Sequence, residues 1–269
     1  MMGRSKKILM IKALVNGNWE CYEANALQPG ANLFNFETGL YETFRTLEHK
    51  PVFLKPHLDR LFDSAKKIDL KIYFTRKEIE KMIKEVIDQF NDPDQRARIL
   101  LVPNKVIIYT TSLDLDQNIY NGVSTKTVTV LRKDPHIKTT DHKDCLDAYY
   151  DAQKNNCFDA ILINDASIVL EGSRSNVFWV KDNTLFTRRS DVLPGVTRQT
   201  IISNSPFPVL FEEINLFDLM RSDELFLTNS GSGIIPVIKV NSSQINNGNP
   251  GPITRELLKL YDIWLKNEI

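Results

Sequence analysis

The stretch Leu170-Glu171-Gly172-Ser173-Arg174-Ser175-Asn176-Val177-Phe178 sets a carboxylate and a polar turn between two apolar runs. The run that ends at Leu170, Ser167 to Leu170, and the run Asn176 to Val180 are predicted to be short strands. A carboxylate between two strands is expensive to bury without a partner. Glu171 is therefore either a solvated turn residue or a buried functional group, and the residues alone favour the solvated turn.

Two segments downstream of this stretch have the composition of anion-binding loops. Leu193-Pro194-Gly195-Val196-Thr197-Arg198 places Pro and Gly directly before a helix predicted at Thr197 to Ile202, where backbone N–H groups and the helix dipole can hold a phosphate. Thr228-Asn229-Ser230-Gly231-Ser232-Gly233 follows a predicted buried strand in the same way. Taken alone, both segments are more often ordinary turns, because Gly and Pro are common turn residues.

Two cations upstream of the stretch are candidate site residues. Lys138 follows a predicted strand, and Lys133 and Lys143 are its nearby rivals. Arg60, in His57-Leu58-Asp59-Arg60-Leu61, lies on or beside the apolar face of a predicted helix. A lone lysine is usually a surface charge, and an arginine at such a position is usually snorkelling or paired.

The rest of the pattern mixes helices and strands in both halves of the chain. One helix is predicted from Pro56 to Ile68, and a second follows the Thr75-x-x-Glu78 capping box. A short Pro103-Asn104 turn joins two β-branched runs and predicts a hairpin. Further strands and helices are predicted at Val123 to Leu131, Asp144 to Lys154, Asp159 to Asn164 and Ile253 to Leu265.

The predicted fold class is α+β (mixed α/β) in two domains. The polar segment Ser112 to Gly122 has no sustained period and therefore predicts a domain boundary. We expect a smaller N-terminal α/β domain at residues 1–113, an interdomain linker at 114–122, and a larger C-terminal domain at 123–269.

Composition argues against several classes of function. The 269 residues include 34 Lys+Arg and 34 Asp+Glu, and this balance argues against a nucleic-acid or anionic-membrane partner. Three cysteines without a Cys-x-x-Cys pair and four scattered histidines argue against disulfides and a metal site. Lys12 interrupts the apolar run that follows the basic residues at 4–7 too early for a signal peptide, so we expect a cytoplasmic location.

The order of these blocks along the chain is more specific than any block alone. The blocks follow in this order: Tyr41-Glu42-Thr43-Phe44-Arg45, the Arg60 block, Lys138, the segment from Glu171 to Arg198, and Thr228-Asn229-Ser230. This series resembles the class IV (fold type IV) pyridoxal-phosphate enzymes. That family contains branched-chain aminotransferases, D-amino-acid aminotransferases and aminodeoxychorismate lyases. The resemblance extends from about Tyr41 to Val237. It implies a homodimer of two-domain subunits, with pyridoxal 5'-phosphate between the domains and bound mainly by the C-terminal one.

The resemblance also assigns roles to individual residues. Lys138 matches the lysine that forms the Schiff base, and Glu171 the acid that faces the pyridine nitrogen. The phosphate ligands implied by the resemblance are Arg60, Val196, Thr197 and Ser230. Either reaction of the family needs a cation for the substrate carboxylate, and Arg45 and Arg98 are unranked candidates.

Three functions remain open at this point. The first is an aminotransferase that moves an amino group between a small amino acid, branched-chain amino acids included, and a 2-keto acid. The second is 4-amino-4-deoxychorismate lyase, which releases pyruvate and 4-aminobenzoate. It is favoured by the Thr228 to Val237 pattern and by Lys143 at the position where branched-chain aminotransferases have tyrosine. The third is a non-catalytic cofactor-binding dimer, since a fold does not fix a reaction. The complete cofactor machinery favours transamination.

Overall fold

A computed structural model describes residues 10–27 and 38–269 of the chain. The basic start at residues 4–7, on which the signal-peptide interpretation depends, lies outside the described residues. The chain divides into two units. Unit 1 comprises the described residues up to Leu113 together with Lys138–Asp141, and unit 2 comprises Asp114–Ile137 and His142–Ile269. Residues 114–122, predicted as a linker, group with unit 2.

Unit 1 is an antiparallel sheet with two helices. Its elements are β1 (Met10–Val15), β2 (Asn18–Glu23), β3 (Leu40–Leu47), β4 (Lys50–Pro51), α1 (Leu54–Lys67), α2 (Arg76–Asp88), β5 (Gln95–Val102) and β6 (Lys105–Ser112). The strand order is β2-β1-β6-β5-β3-β4. The predicted hairpin is confirmed, because Val102 pairs with Lys105 around the Pro103-Asn104 turn. The predicted capping box at Thr75 and Glu78 is also confirmed at the start of α2.

Strand β3 separates two groups of side chains in unit 1. Leu40, Glu42 and Phe44 are buried, whereas the alternate residues Tyr41 and Thr43 are only half-buried. Successive side chains of a strand point to opposite faces of the sheet. The buried face packs against α1, whose side chains Leu58, Leu61 and Ala65 form the predicted apolar stripe.

Unit 2 contains a larger mixed sheet and four helices. Its elements are β7 (Val123–Thr129), α3 (Lys143–Lys154), β8 (Asp159–Ile163), β9 (Val169–Gly172), β10 (Asn176–Lys181), β11 (Thr184–Thr187), α4 (Val196–Asn204), β12 (Val209–Phe211), α5 (Leu216–Leu219), β13 (Glu224–Asn229), β14 (Gly233–Val240), β15 (Ser243–Gln244) and α6 (Pro252–Asn267). The strand order is β12-β11-β10-β13-β14-β7-β8-β9, and β15 pairs with β14. Both units mix helices with strands, which confirms the predicted fold class. No helix in the two described ranges is long and apolar enough to cross a lipid bilayer.

Helix α6 begins on a buried carboxylate. Glu224, 4% exposed at the start of β13, accepts hydrogen bonds from the backbone N–H groups of Ile253 (2.9 Å) and Thr254 (2.7 Å). A carboxylate is favourable there because the first N–H groups of a helix lack intrahelical acceptors and carry the positive end of its dipole. The N-cap residue is Gly251, where a Cβ would lie 1.9 Å from the Glu224 Cδ. Glycine at this position therefore lets the carboxylate reach the helix.

Gly251→Ala is expected to lower the free energy of unfolding by about 1–3 kcal/mol, because the added methyl group must displace the Glu224 carboxylate. Urea denaturation followed by circular dichroism measures the change. Glu256→Ala, on the exposed side of the same helix, is the control and should stay within about 0.5 kcal/mol of the native chain. Equal stability of the native chain and Gly251→Ala would contradict the cap.

Candidate functional site

Lys138 is held beside β3 in unit 1. The backbone carbonyl of Lys138 accepts a hydrogen bond from the N–H of Tyr41 (3.1 Å), and the N–H of Thr140 donates to the carbonyl of Gly39 (2.9 Å). The Lys138 Nζ lies 4.3 Å from the centroid of the Tyr41 ring. This cation–π contact fixes the amine at the face of β3 that carries Tyr41.

The rival lysines have different surroundings. Lys133 and Lys143 are exposed, whereas Lys138 is half-buried. Lys143 forms an ion pair with Asp147 on the surface of α3. Of these three lysines, Lys138 alone has the partial burial and fixed geometry that a reactive amine needs.

Glu42, His57 and Arg60 form a buried cluster on the opposite face of β3. The Arg60 Nε and Nη2 donate to the two Glu42 carboxylate oxygens at 2.7 Å each. The His57 Nδ1 lies 2.8 Å from the Glu42 Oε2, and since a carboxylate only accepts, this nitrogen carries the hydrogen. The sequence analysis gave Glu42 and His57 no role, because the contact joins a strand to a helix. The feature that could have marked Glu42 is a carboxylate at a buried position of a strand.

The charges in this cluster follow from the pKa values. Burial alone would raise the pKa of Glu42, but the charge and hydrogen bonds of Arg60, with help from His57, lower it to about 2. Burial lowers the pKa of His57, against the opposing effect of Glu42. Near neutral pH the cluster therefore consists of a carboxylate, a neutral imidazole and a guanidinium whose orientation Glu42 fixes.

Arg45 and Arg98 share a face of the unit 1 sheet with Tyr41. Arg98 lies directly opposite Thr43 in the register of β3 and β5, and residues opposite each other point to the same face. The Arg98 Nη1 donates to the Tyr109 hydroxyl at 3.3 Å. Arg45 lies opposite Arg96 on the same face, and all three arginines are half-buried. Because the Lys138 amine lies over the Tyr41 ring, these cations belong to the face that the amine reaches.

Glu171 lies within β9 of unit 2, and the solvated-turn interpretation is wrong. The strand runs to Gly172, two residues beyond the predicted end at Leu170, and Glu171 is only 4% exposed. Its Oε1 accepts a hydrogen bond from the Nη1 of Arg132, while its Oε2 accepts from the N–H of Leu193 at 2.9 Å. The Asn176 Nδ2 lies 3.4 Å from the same Oε2. A buried carboxylate with this many donors is stabilised in its charged form.

Arg132 is a further residue to which the sequence alone assigns no role. Besides Glu171, its guanidinium donates to the backbone carbonyls of Pro135 (3.1 Å) and Ile137 (2.9 Å). Arg132 therefore orients the Glu171 carboxylate and also orders the loop that leads to Lys138. No spacing rule marks such an arginine, because its carboxylate partner, Glu171, is brought to it by the tertiary fold.

The N-terminus of α4 has the features of an anion site. The helix begins at Val196 with Gly195 as its N-cap, and no side chain caps it. The N–H groups of its first turn also have no intrahelical acceptor, as in any α-helix, and can therefore bind an anion. Val196 and Thr197 are buried. The Asn176 Nδ2 donates to the Leu193 carbonyl (2.8 Å), and a Cβ on Gly195 would lie 2.0 Å from the Asn176 Oδ1. Asn176 thus contacts both the Glu171 carboxylate and the segment at which α4 begins.

The loop that contains Ser230 follows β13. The Asn229 Oδ1 accepts hydrogen bonds from the N–H groups of Gly231 (3.0 Å) and Ser232 (2.7 Å), which curls the loop. The Thr228 hydroxyl is buried and has no hydrogen-bond partner among the described residues. Thr228 lies directly opposite Asn176 in the sheet, so its hydroxyl is on the face that carries Asn176. A buried hydroxyl in this state has hydrogen-bonding capacity that a polar ligand could use.

The candidate residues therefore fall into two groups. Unit 1 carries Lys138, Arg45 and Arg98 on the side of its sheet that Tyr41 occupies, and Arg60 with its guanidinium held by Glu42. Unit 2 carries Glu171 in β9, Val196 and Thr197 at the start of α4, and Ser230 in the loop after β13.

Comparison with known proteins gives the same family throughout. The family model described as amino-transferase class IV matches residues 39–240. A probable branched-chain-amino-acid aminotransferase from Thermotoga maritima is 29% identical over 87% of this chain and 88% of its own length. D-alanine aminotransferase from Listeria monocytogenes is 28% identical over 93% and 95%. The crystal structure of a putative branched-chain amino acid aminotransferase from Thermotoga maritima superposes with a TM-score of 0.81 at 27% identity, covering 96% of each chain.

Proposed function

Because the chain belongs to the class IV aminotransferase family, we propose that it transfers an amino group between a small amino acid and a 2-keto acid with pyridoxal 5'-phosphate as cofactor. Branched-chain amino acids are among the proposed donors, because relatives of the chain carry that name. The observation that carries the proposal is the burial of Glu171 and its ion pair with Arg132. A carboxylate in that state can hold a proton on a pyridine nitrogen.

The residues of the chain fit this cofactor. The cofactor phosphate would be bound by the uncapped start of α4 at Val196 and Thr197 and by the Ser230 loop. The Thr228 hydroxyl, which lacks a partner among the described residues, is a further donor for it. The cofactor aldehyde matches the half-buried amine of Lys138. We propose Arg60 as a further phosphate ligand, with Glu42 holding its guanidinium in one orientation.

The proposed roles follow from the chemistry of each side chain. Pyridoxal 5'-phosphate supplies an aldehyde and an electron-withdrawing ring to the site. Lys138 would hold the cofactor through its aldehyde and would supply the amine that moves a proton at the substrate α-carbon. Glu171 would face the ring nitrogen and favour its protonated form, and Arg132 orients the Glu171 carboxylate for that role. The N–H groups at the start of α4 and the hydroxyls of Thr197 and Ser230 donate to the phosphate.

We propose that Arg98, Arg45 or both bind the substrate carboxylate. Both lie on the sheet face that carries Tyr41, over whose ring the Lys138 amine lies. The hydrogen bond to Tyr109 orients the guanidinium of Arg98, and such fixed planar donors suit a carboxylate. Arg98 is the stronger candidate because of this restraint.

One assay separates the three functions. The pyridoxal-phosphate-loaded chain is mixed with a panel of L- and D-amino acids, and the absorbance is followed for conversion to the pyridoxamine form. Conversion by a small amino acid, reversed by a 2-keto acid, is the expected result. Pyruvate release from aminodeoxychorismate without any amino-acid half-reaction would establish the lyase instead. Cofactor binding without either reaction would leave the non-catalytic dimer.

Arg60→Ala is expected to weaken pyridoxal 5'-phosphate binding more than Ser230→Ala does, because a charge-assisted contact is stronger than a neutral one. The expected loss for Arg60→Ala is about 10- to 100-fold in affinity. Titration of the apo protein with cofactor, followed by fluorescence, gives both dissociation constants. Lys77→Ala, which removes an exposed cation of the same unit, is the control and should bind normally.

Arg60→Ala also removes the guanidinium that pairs with the buried Glu42 carboxylate. A buried charge without its cation is destabilising, and this change can unfold unit 1. The double variant Arg60→Ala/Glu42→Gln removes that penalty and should show the same loss of affinity. Equal affinities of the Arg60 and Ser230 variants, or a larger loss for Ser230→Ala, would contradict the proposed phosphate ligands.

We further propose that the chain functions as a homodimer, as its resemblance to the family implies, and in the cytoplasm, as its cysteine usage and the apolar run interrupted at Lys12 predict. Light scattering coupled to size exclusion measures the mass in solution. A mass near twice the 30.9 kDa of one chain is expected, and a monomer that is fully active would contradict the dimer.

A further inference from the structure

Tyr261 of α6 reaches the start of α4 although it lies beyond the segment that the family model matches. It is 3% exposed, and its hydroxyl lies 3.4 Å from the Thr197 Oγ1. The Tyr261 ring also lies against Gly233, the first residue of β14. Gly233 has φ +74°, and a Cβ there would lie 2.6 Å from the ring Cε1. Glycine at 233 therefore lets the ring lie against the end of the Ser230 loop.

The Ser230 loop is thus braced from both ends. Asn229 curls its start, and the Tyr120 hydroxyl donates to the Ser232 carbonyl at 2.9 Å. The Tyr261 ring covers Gly233, where the loop enters β14. Tyr261 therefore contacts both proposed phosphate-binding elements of unit 2, the start of α4 and the loop after β13.

We infer that Tyr261 is a positioning residue for the cofactor phosphate, acting through the Thr197 hydroxyl; this inference rests on the proposed function. A hydroxyl has one hydrogen to donate and two lone pairs to accept with, whereas a phosphate dianion only accepts. When Thr197 donates its hydrogen to the phosphate, the contact with Tyr261 requires the tyrosine to be the donor. Tyr261 thereby selects the rotamer in which the Thr197 hydrogen points to the phosphate.

A second observation is a buried hydroxyl with unused hydrogen-bonding capacity. The Thr228 hydroxyl is 98% buried and has no partner among the described residues. It lies on the sheet face of Asn176, whose Oδ1 is adjacent to Gly195, the N-cap of α4. The unsatisfied hydroxyl, the uncapped helix and the Tyr261–Thr197 contact therefore belong to one polar site in unit 2.

The test compares pyridoxal 5'-phosphate with pyridoxal, which lacks the phosphate. Apo protein is titrated with each compound, and the ratio of the two affinities is recorded for the native chain, Tyr261→Phe, Thr197→Val and the double variant. Tyr261→Phe keeps the ring against Gly233 and removes only the hydroxyl. Because the ratio is taken within one protein sample, a change in the folded fraction cancels.

Tyr261→Phe is expected to weaken pyridoxal 5'-phosphate about two- to tenfold and to leave pyridoxal unchanged, as the loss of one hydrogen bond predicts. In the Thr197→Val background it should have no further effect, because Tyr261 acts through Thr197. Tyr150→Phe, an exposed tyrosine of the same unit, is the control and should match the native chain.

The other outcomes each decide a different question. If the native chain does not bind pyridoxal 5'-phosphate, the proposed function is wrong, and the inference with it. If the native chain and Tyr261→Phe bind it equally, the inference is overturned and the proposed function stands. Equal weakening of pyridoxal, or losses that add in the double variant, would make Tyr261 a packing residue and overturn the inference as well.

Discussion

Lys138→Ala is expected to lower the rate of the amino-acid half-reaction about a thousandfold or more, because one amine both attacks the cofactor aldehyde and moves the substrate proton. The structure distinguishes this lysine from its neighbours, since its amine lies over the Tyr41 ring while Lys133 and Lys143 are exposed. Stopped-flow absorbance of the loaded protein with an excess of amino acid measures the rate. Borohydride reduction followed by peptide mapping should find the pyridoxyl group on Lys138 of the native chain.

The matched controls are Lys133→Ala and Lys143→Ala, which should react at the native rate. Lys143 loses only an exposed ion pair with Asp147, and such pairs contribute little to stability. A pyridoxyl adduct on either of these lysines, or a Lys138→Ala variant that reacts normally, would show that the resemblance assigns the wrong amine.

Local sequence signals predicted the elements whose stability depends on neighbours in the chain. Leu58, Leu61 and Ala65 lie on one face of a helix, because residues three and four apart share a face. The Thr75 capping box likewise has both of its hydrogen bonds. Strand β3 was not predicted for an equally local reason. Its buried positions include Glu42 and Thr46, so the alternation of apolar and polar residues that marks a strand is absent.

The charge partners in the candidate site could not be predicted from the sequence. Glu171 and Arg132 are 39 residues apart, and Glu42 and Arg60 are 18 apart, so no helical or strand period relates them. The cost of burying a carboxylate shows that Glu171 needs a partner, but only the fold selects which cation supplies it. The residue-based preference for a solvated Glu171 was wrong because that cation was not counted.

The same limit applies to the segment 138–141. In sequence it lies within the predicted C-terminal domain, yet its backbone pairs with β3 and it groups with unit 1. Backbone hydrogen bonds to a distant strand leave no trace in the composition of a four-residue segment. The resemblance to a family identified Lys138, whereas the fold explains why its amine is restrained.

Glu171→Gln is expected to retain pyridoxal 5'-phosphate and to lower turnover about a hundredfold or more. The cofactor stays bound because the start of α4 and the Ser230 loop are unchanged. Turnover falls because a neutral amide cannot hold the proton on the ring nitrogen by charge. The amide also has one acceptor oxygen where the carboxylate has two, so either the Arg132 Nη1 or the Leu193 N–H loses its acceptor. Steady-state kinetics, together with cofactor titration of the apo protein, separates the two effects.

Glu224→Gln is the matched control, because Glu224 is also 4% exposed in unit 2 but caps α6. Both variants replace a buried carboxylate that accepts backbone hydrogen bonds, so both should lower the free energy of unfolding by about 1–3 kcal/mol. Only Glu171→Gln should lose turnover, because only that carboxylate is proposed to face the ring nitrogen. A folded Glu171→Gln that turns over at the native rate would reduce Glu171 to a structural partner of Arg132. A Glu224→Gln that loses as much turnover would show that the loss follows from burial of an amide and not from the charge at the cofactor.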